Sequence, residues 1–167
     1  MKVRFSHLVA NESEDCGPIV QFMSDGFVFV GELINCTPED FKEDKEYTVD
    51  VKFFCHNVYG LYSNAEDFQK DNEGMAEESY IPVGAFPADP TDKSWKPSPM
   101  NWINSTVKEI VDSASVGAPD YLILFEGSVG GLIIDQVIND EWDEYKENVT
   151  VGTIVSGLYW AEVRLED

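Results

Sequence analysis

Apolar positions in the first third of the chain follow the patterns of β-strands. Residues 19–22 and 27–34 are apolar runs, with Ser24-Asp25-Gly26 between them. An Asp-Gly pair between such runs is a strong hairpin signal, because glycine accepts the positive φ that the turn requires. From Tyr47 to Phe53 apolar and polar residues alternate, which predicts a strand with one buried face. The region is therefore predicted to be a β-hairpin followed by a further strand.

The last third of the chain predicts more strands, separated by a glycine-rich turn and a short helix. The turn is Gly127-Ser128-Val129-Gly130-Gly131, and Asn139 is the expected N-cap of a helix over 139–146. The strands are expected at 102–111, 121–125, 132–138 and 153–165, the last range being one bent strand or two with Gly157 at the bend.

The middle of the chain has a different pattern. Ser63 and Glu66 have the spacing of a capping box, which predicts a helix that ends before Gly74. Five of the eight prolines lie between residues 74 and 99, and proline at that density prevents regular strand ladders. We expect a crossing segment there, with one short edge strand near Tyr80-Ile81.

These elements predict a mainly β protein with two or three short helices, and a small α+β arrangement is the alternative. A length of 167 residues suits one compact unit. Within it we distinguish an N-terminal β region with a hairpin (1–63), a short helix with the proline-rich crossing segment (64–100) and a C-terminal β-barrel (101–167).

The element order over 101–167, three strands followed by a helix and two further strands, resembles an OB-fold barrel. The phrase Val151-Gly152-Thr153-Ile154-Val155-Ser156-Gly157 is similar to the glycine-marked fourth and fifth strands of such barrels. This resemblance implies a five-stranded, partly closed barrel of a kind that binds oligonucleotides or oligosaccharides. Over its full length the chain resembles small bacterial proteins more than it resembles a known enzyme.

Net charge limits the partners that the chain can bind. It has 11 basic and 32 acidic residues, which gives a charge of −21. Such a surface repels phosphate backbones and anionic membranes, so we expect no binding through a nucleic-acid backbone and no membrane association. The same field attracts and steers a basic protein.

Location is predicted from three further features of the sequence. No run reaches the roughly 18 apolar residues of a membrane span. The first residues lack the apolar stretch of a signal peptide. Three cysteines are an odd number that suits reduced thiols better than a disulfide framework. Together these features predict a cytoplasmic protein.

Residues that could bind a metal or act as nucleophiles are few. His7, His56, Cys16, Cys36 and Cys55 lack the spacing of a zinc site, and the adjacent Cys55 and His56 point to opposite faces of a strand. The phosphate-binding and dinucleotide-binding glycine motifs do not occur. We therefore expect no metal and no cofactor, and the sequence identifies no catalytic residue.

Aromatic residues are the remaining candidates for a binding site. Tyr59, Tyr62 and Trp95 are the predicted ligand-binding residues, and the first two leave a predicted strand just before a capped helix. The leading hypothesis is a non-catalytic binding module for a basic protein or a small ligand. An acidic nucleic-acid mimic that inhibits a DNA-binding or restriction enzyme is the first alternative, and a small carboxylate-dependent hydrolase is the second.

Overall fold

Strands account for 53% of the fold and helices for 13%, which confirms the mainly β class. The computed structural model describes residues 1–11, 16–24, 26–139 and 144–166. In the described residues the strands are β1 (Lys2–Ala10), β2 (Ile19–Ser24), β3 (Phe27–Leu33), β4 (Glu46–Tyr62), β5 (Ser79–Ile81), β6 (Met100–Val111), β7 (Leu122–Val129), β8 (Leu132–Asn139) and β9 (Ile154–Leu165), and the α-helices are α1 (Ala65–Asp71) and α2 (Glu144–Asn148).

Contacts divide the chain into two units, each assembled from segments that are distant in sequence. The first comprises Met1–Lys52, Tyr80–Asn101 and Trp160–Asp167, and the second comprises Phe53–Ser79 and Trp102–Tyr159. The long strands β4 and β9 therefore contribute residues to both. The three consecutive segments 1–63, 64–100 and 101–167 stay a prediction, since the units are defined by contacts rather than by boundaries along the chain.

Strand pairing in the first unit closes a ring of five strands. β1 pairs with β2, and β2 pairs with β3, both antiparallel. β3 runs parallel to β9, which neighbours β4, and β4 returns to pair with β1. Inside this ring Phe5, Phe22, Phe29 and Phe41 are buried, with neighbouring ring centroids 5.4–6.1 Å apart. Burial of these rings contributes apolar stabilisation to this unit.

The predicted hairpin in the first unit is confirmed. Ser24 pairs with Phe27, so a two-residue turn joins β2 to β3. Gly26 has φ +96°, the conformation for which glycine was expected, and Asp25 lies outside the described residues.

A second ring of five strands forms in the second unit. Its members are neighbours in the order β9, β4, β8, β7 and β6, and β6 pairs back with β9. Residues 101–167 were expected to supply all five strands of a barrel, but they supply four, and residues 53–62 of β4 occupy the remaining position. The range 153–165 gives one strand, β9. Gly157 lets β4 approach closely, since a Cβ there would lie 2.9 Å from the Asn57 oxygen.

The short elements largely follow their sequence signals. α1 ends before Gly74 as predicted, but its N-cap is Asn64 rather than Ser63, since Asn64 Oδ1 accepts from Asp67 N at 2.9 Å. The edge strand near Tyr80-Ile81 is confirmed as β5. The helix expected over 139–146 is described as α2, while residues 140–143 lie outside the described residues. No helix among the described residues has the length and apolar character to cross a membrane.

Candidate functional site

A cleft with a volume of about 610 Å³ lies in the second unit. One wall is the last part of β4, and the other is formed by α2 and the turn that leads into β9. The cleft is lined by Val58, Tyr59, Gly60, Leu61, Tyr62, Ser63, Tyr145, Glu147, Asn148, Thr150, Val151, Gly152 and Thr153. Two of the three predicted ligand-binding residues, Tyr59 and Tyr62, are therefore brought together in one cleft.

Tyr59 presents an aromatic face that is supported from behind. Its ring stacks on that of Trp102, with centroids 4.7 Å apart and planes 30° from parallel. The Tyr59 side chain nevertheless remains 55% exposed. One face of the Tyr59 ring thus packs against Trp102. This packing orders the side chain before a ligand binds, which lowers the entropic cost of binding.

Tyr62 is fixed by three contacts within the same unit. Its ring meets Phe68 edge to face at a centroid distance of 5.2 Å, and its hydroxyl accepts from Asn72 Nδ2 at 3.1 Å. The ring also lies over Gly60, where an added Cβ would come within 2.6 Å of Tyr62 Cε2. A side chain at position 60 would therefore have to displace the outer part of the Tyr62 ring.

The opposite wall is a turn whose hydroxyl groups bond to the turn itself. Thr153 Oγ1 accepts from Thr150 N at 3.1 Å and donates to the Asn148 oxygen at 3.2 Å. Val149 anchors the turn in the core with 4% exposure, and Val149 N donates to the Tyr145 oxygen at 2.9 Å. The exposed Glu147 contributes an acidic side chain to the cleft lining on this wall.

Trp95, the third predicted ligand-binding residue, belongs to the first unit, where it is half-buried within the proline-rich stretch. Sequence reasoning did not select Tyr145 or Glu147, which also line the cleft of the second unit. Both follow an acidic stretch, and acidic residues are too frequent in this chain for one of them to stand out. Trp102 supports the site from β6, and its position could be found only from strand pairing.

Cysteine chemistry is not favoured in the second unit. Burial raises the pKa of the Cys55 thiol to about 12, so the thiolate that would act as nucleophile or metal ligand is scarce at neutral pH. The neighbouring His56 is exposed. Burial also raises the pKa of Cys36, in the first unit. Across the part of the chain that the structure describes, no three histidine, cysteine or acidic side chains are grouped as metal ligands.

Two smaller cavities lie elsewhere among the described residues. One of about 230 Å³ is lined by Cys55, His56 and Ile138, and it shares Val58 and Tyr145 with the large cleft, so the two are adjacent. The other, of about 480 Å³, lies in the first unit and includes Lys2 and Arg4 among its lining residues. Lys2 already pairs with Glu46 at 3.2 Å, which offsets part of the positive charge there.

Acidic side chains line up across three strands of the second unit. Glu109 on β6 pairs with Glu126 on β7, and Glu126 pairs with Asp135 on β8. Like charges at directly opposed positions destabilise a sheet, so this row costs stability unless a cationic group lies nearby.

Comparison with known proteins adds no relative to this description: no family model, no curated protein and no solved structure matches the chain.

Proposed function

We propose that this chain is a non-catalytic binding module that holds a basic segment of a partner protein in the cleft of the second unit. The observation that carries the proposal is the convergence of Tyr59, Tyr62, Tyr145 and Glu147 on one cleft in a chain of net charge −21. Aromatic faces and a carboxylate together are the groups that attract an organic cation.

Each group of the cleft is expected to contribute a modest binding free energy, and the contributions act together on one cation. A cation over an aromatic face contributes roughly 0.5–2 kcal/mol, depending on how far it is desolvated. An exposed carboxylate adds about 0.2–1 kcal/mol, screened by salt. The long-range field of the acidic chain raises the association rate for a basic partner. A cleft of this kind therefore suits a regulated contact of moderate affinity.

We also infer an OB-type ring in the first unit. Numbered in chain order within the unit, its strands close as 1-2-3-5-4-1, and the third and fifth strands are parallel. This order supports the OB resemblance, although at a different place from the 101–167 segment in which it was expected. The bacterial resemblance remains a prediction, and so does the expected lack of binding to nucleic-acid backbones.

A cytoplasmic location is the accompanying proposal. Cys16, Cys36 and Cys55 are all reduced and none forms a disulfide, which supports a reducing compartment.

A second candidate function, mimicry of nucleic acid, is favoured by the acidic row of Glu109, Glu126 and Asp135. Carboxylates on adjacent strands form a line of negative charge that a DNA-binding surface would accept. The test is binding of a non-specific DNA-binding protein. Mimicry predicts that Glu126→Gln weakens this binding about threefold or more and that duplex DNA competes with the chain. Binding that resists duplex DNA would contradict mimicry.

The primary proposal is tested by calorimetric titration with a lysine-rich peptide at about 0.1 M salt. We expect Tyr59→Ala and Glu147→Gln to weaken binding, by about tenfold and about threefold respectively. Tyr121→Ala is the matched control, since Tyr121 is also 55% exposed in the second unit but does not line the cleft. Equal losses for Tyr59→Ala and Tyr121→Ala, or no binding by the wild type, would contradict the proposal.

A further inference from the structure

We propose that Asn104, a buried amide on β6, positions the aromatic face that the cleft offers to its ligand. This inference rests on the proposed function and names a residue outside the lining of the cleft. Asn104 acts through Trp102, the indole that supports the Tyr59 ring from behind. It is a positioning residue, since its side chain is fully buried and contacts the support of the site rather than the ligand.

The Asn104 side chain lies at the centre of a polar cluster inside the second unit. Its Oδ1 accepts from Trp102 Nε1 at 3.2 Å and from Ser156 Oγ at 2.7 Å. Its Nδ2 donates to Ser79 Oγ at 2.9 Å and to the Ala76 oxygen at 3.4 Å. Asn104 has no exposed surface, so its amide is shielded from competing water. One side chain thus joins β6, β9 and the start of β5.

The partners of Asn104 fix the direction in which its amide points. An indole N–H can only donate a hydrogen bond, and a backbone carbonyl can only accept one. Oδ1 therefore has to face Trp102, and Nδ2 has to face Ala76. A flipped amide would oppose donor to donor and acceptor to acceptor, which is costly in a buried site. The cluster therefore holds the indole N–H in one direction.

The direction of the indole determines where the Tyr59 ring lies. The two rings stack with centroids 4.7 Å apart, and Tyr59 remains 55% exposed beyond that contact. Without its N–H bond the Trp102 side chain can rotate, and the Tyr59 ring then loses the surface on which it packs. The ligand would have to order Tyr59 itself, which lowers affinity. Asn104 thus contributes to binding without contacting the ligand.

One segment, residues 68–79, contacts the supports of both cleft tyrosines. Its first part contacts the Tyr62 ring and donates to the Tyr62 hydroxyl. Its last part bonds Asn104, which in turn accepts from the Trp102 indole behind Tyr59. Asn104 therefore connects Tyr59 to the same scaffold that holds Tyr62.

The first experiment measures the hydrogen bond without a ligand, as the exchange rate of the Trp102 indole N–H in heteronuclear NMR spectra. The signal is assigned by its loss in Trp102→Phe. We expect Asn104→Ala to speed this exchange about fivefold or more, because the N–H loses its buried acceptor. Gln136→Ala is the matched control, since Gln136 is also a buried amide of the second unit but accepts from Ser105. Unchanged exchange in Asn104→Ala, or equal acceleration in Gln136→Ala, would overturn the inference.

The second experiment titrates the lysine-rich peptide by calorimetry into variants that circular dichroism shows to be folded. We expect Asn104→Ala to weaken binding about threefold to tenfold, because the ligand then has to order Tyr59. Trp102→Phe keeps a ring behind Tyr59 but lacks the N–H, so Asn104→Ala should have little effect in that background. An undiminished loss in the Trp102→Phe background would show that Asn104 acts by another route and would overturn the inference.

Trp102→Phe also serves alone if Asn104→Ala does not fold. It removes the same hydrogen bond while an aromatic ring stays in place, and we expect it to weaken peptide binding about threefold. Wild-type affinity in Trp102→Phe would then overturn the inference.

The two experiments separate this inference from the proposed function. Equal peptide affinity of the wild type and Asn104→Ala would overturn the positioning role and leave the basic-peptide function standing. No peptide binding by the wild type would overturn the proposed function, and the exchange rate alone would then decide whether Asn104 holds Trp102.

Discussion

At the scale of single residues, the shape of the cleft depends on close contacts between its aromatic rings and their neighbours. The Tyr62 ring lies over Gly60, and its edge-to-face contact with Phe68 keeps it there. Tyr59 depends in the same way on Trp102. The aromatic groups of the site are therefore ordered by packing before any ligand arrives, which lowers the entropic cost of binding.

The first prediction concerns Gly60→Ala. The added Cβ overlaps the Tyr62 ring, so we expect a loss of about 1–3 kcal/mol in the free energy of unfolding and weaker peptide binding. Urea denaturation measures the loss. In a Tyr62→Leu background the overlapping ring is absent, and Gly60→Ala should then cost less than about 1 kcal/mol. Similar costs in both backgrounds would contradict the steric explanation.

The second prediction concerns Cys55. With its pKa raised to about 12 against an ordinary value near 8.5, its thiolate at pH 8 is reduced roughly a thousandfold. We expect iodoacetamide to label Cys55 correspondingly slowly in the folded protein with Cys16 and Cys36 replaced by serine, and at the ordinary rate in guanidinium. Mass spectrometry follows the labelling. Equal rates in the two states would show that the thiol is not shielded.

The same shift has a consequence for stability. The pKa of the Cys55 thiol is higher in the folded than in the unfolded protein. Its contribution to the free energy of unfolding is therefore fully present at pH values below the pKa of the unfolded state. This contribution declines as pH rises from about 9 towards 12, because only the unfolded state ionises readily.

At the scale of elements, buried amides join strands that sequence patterns treat separately. Asn101, at the start of β6, is fully buried and bonds both backbone groups of Val30 on β3: Val30 N donates to Oδ1 at 3.1 Å, and Nδ2 donates to the Val30 oxygen at 2.8 Å. Nδ2 also donates to the Pro99 oxygen at 2.9 Å. One side chain thus satisfies three backbone groups in the interior of the first unit.

The third prediction compares Asn101→Ala with Asn35→Ala. Asn35 makes the same pair of bonds to the backbone of Leu165, but at the exposed surface. We expect Asn101→Ala to cost about 3 kcal/mol, because it leaves buried backbone groups unpaired, and Asn35→Ala to cost less than about 1 kcal/mol, because water replaces the amide. Chemical denaturation of both variants measures the difference. Equal losses in the free energy of unfolding for the two variants would mean that burial does not determine how much these hydrogen bonds stabilise the protein.

Strand positions were predictable at this scale, whereas strand partners were not. The Ser24-to-Phe27 hairpin and β6 over 102–111 follow from local signals, because period-two alternation and positive-φ glycines act within a few residues. The glycine-rich turn was expected over 127–131, but only Gly130 and Gly131 form it, since residues 127–129 continue strand β7. The parallel pairing of Glu32 with Glu162 joins positions 130 residues apart, and no local pattern encodes it.

The site shows the same division between local and distant signals. Tyr59 and Tyr62 were found because they lie close together at the end of one strand. Trp102, Tyr145 and Glu147 come from segments that only the closed ring brings to them. Aromatic and acidic residues are abundant in this chain, so composition could not distinguish these three from residues of the core or the solvated surface.

At the scale of the whole molecule, net charge is the dominant property. The described ion pairs are exposed or partly exposed, and therefore contribute little against the mutual repulsion of the carboxylates. Self-repulsion of this kind destabilises the folded state, and dissolved salt screens it over a length of about 8–10 Å.

The fourth prediction is that salt stabilises the protein while weakening its binding to a basic peptide. Between about 0.02 and 0.3 M NaCl we expect Tm to rise by roughly 5 °C, because repulsion within the chain is screened. The peptide affinity should fall over the same range. Glu43→Lys changes the charge by two at an exposed position of the first unit and should raise Tm mainly at low salt. A Tm independent of salt would contradict this account.

Strand β9 has a consequence for the order in which the chain acquires structure during synthesis. It neighbours β3 and β4 in one ring, and β4 and β6 in the other. The N-terminal end of a chain leaves the ribosome first, so β1 to β8 emerge before β9, the strand that closes both rings. Many proteins fold one domain while the next is still being made. Here neither ring can close until the same twelve residues of β9 have been synthesised. Until then, the nascent chain exposes unpaired strand edges in both units.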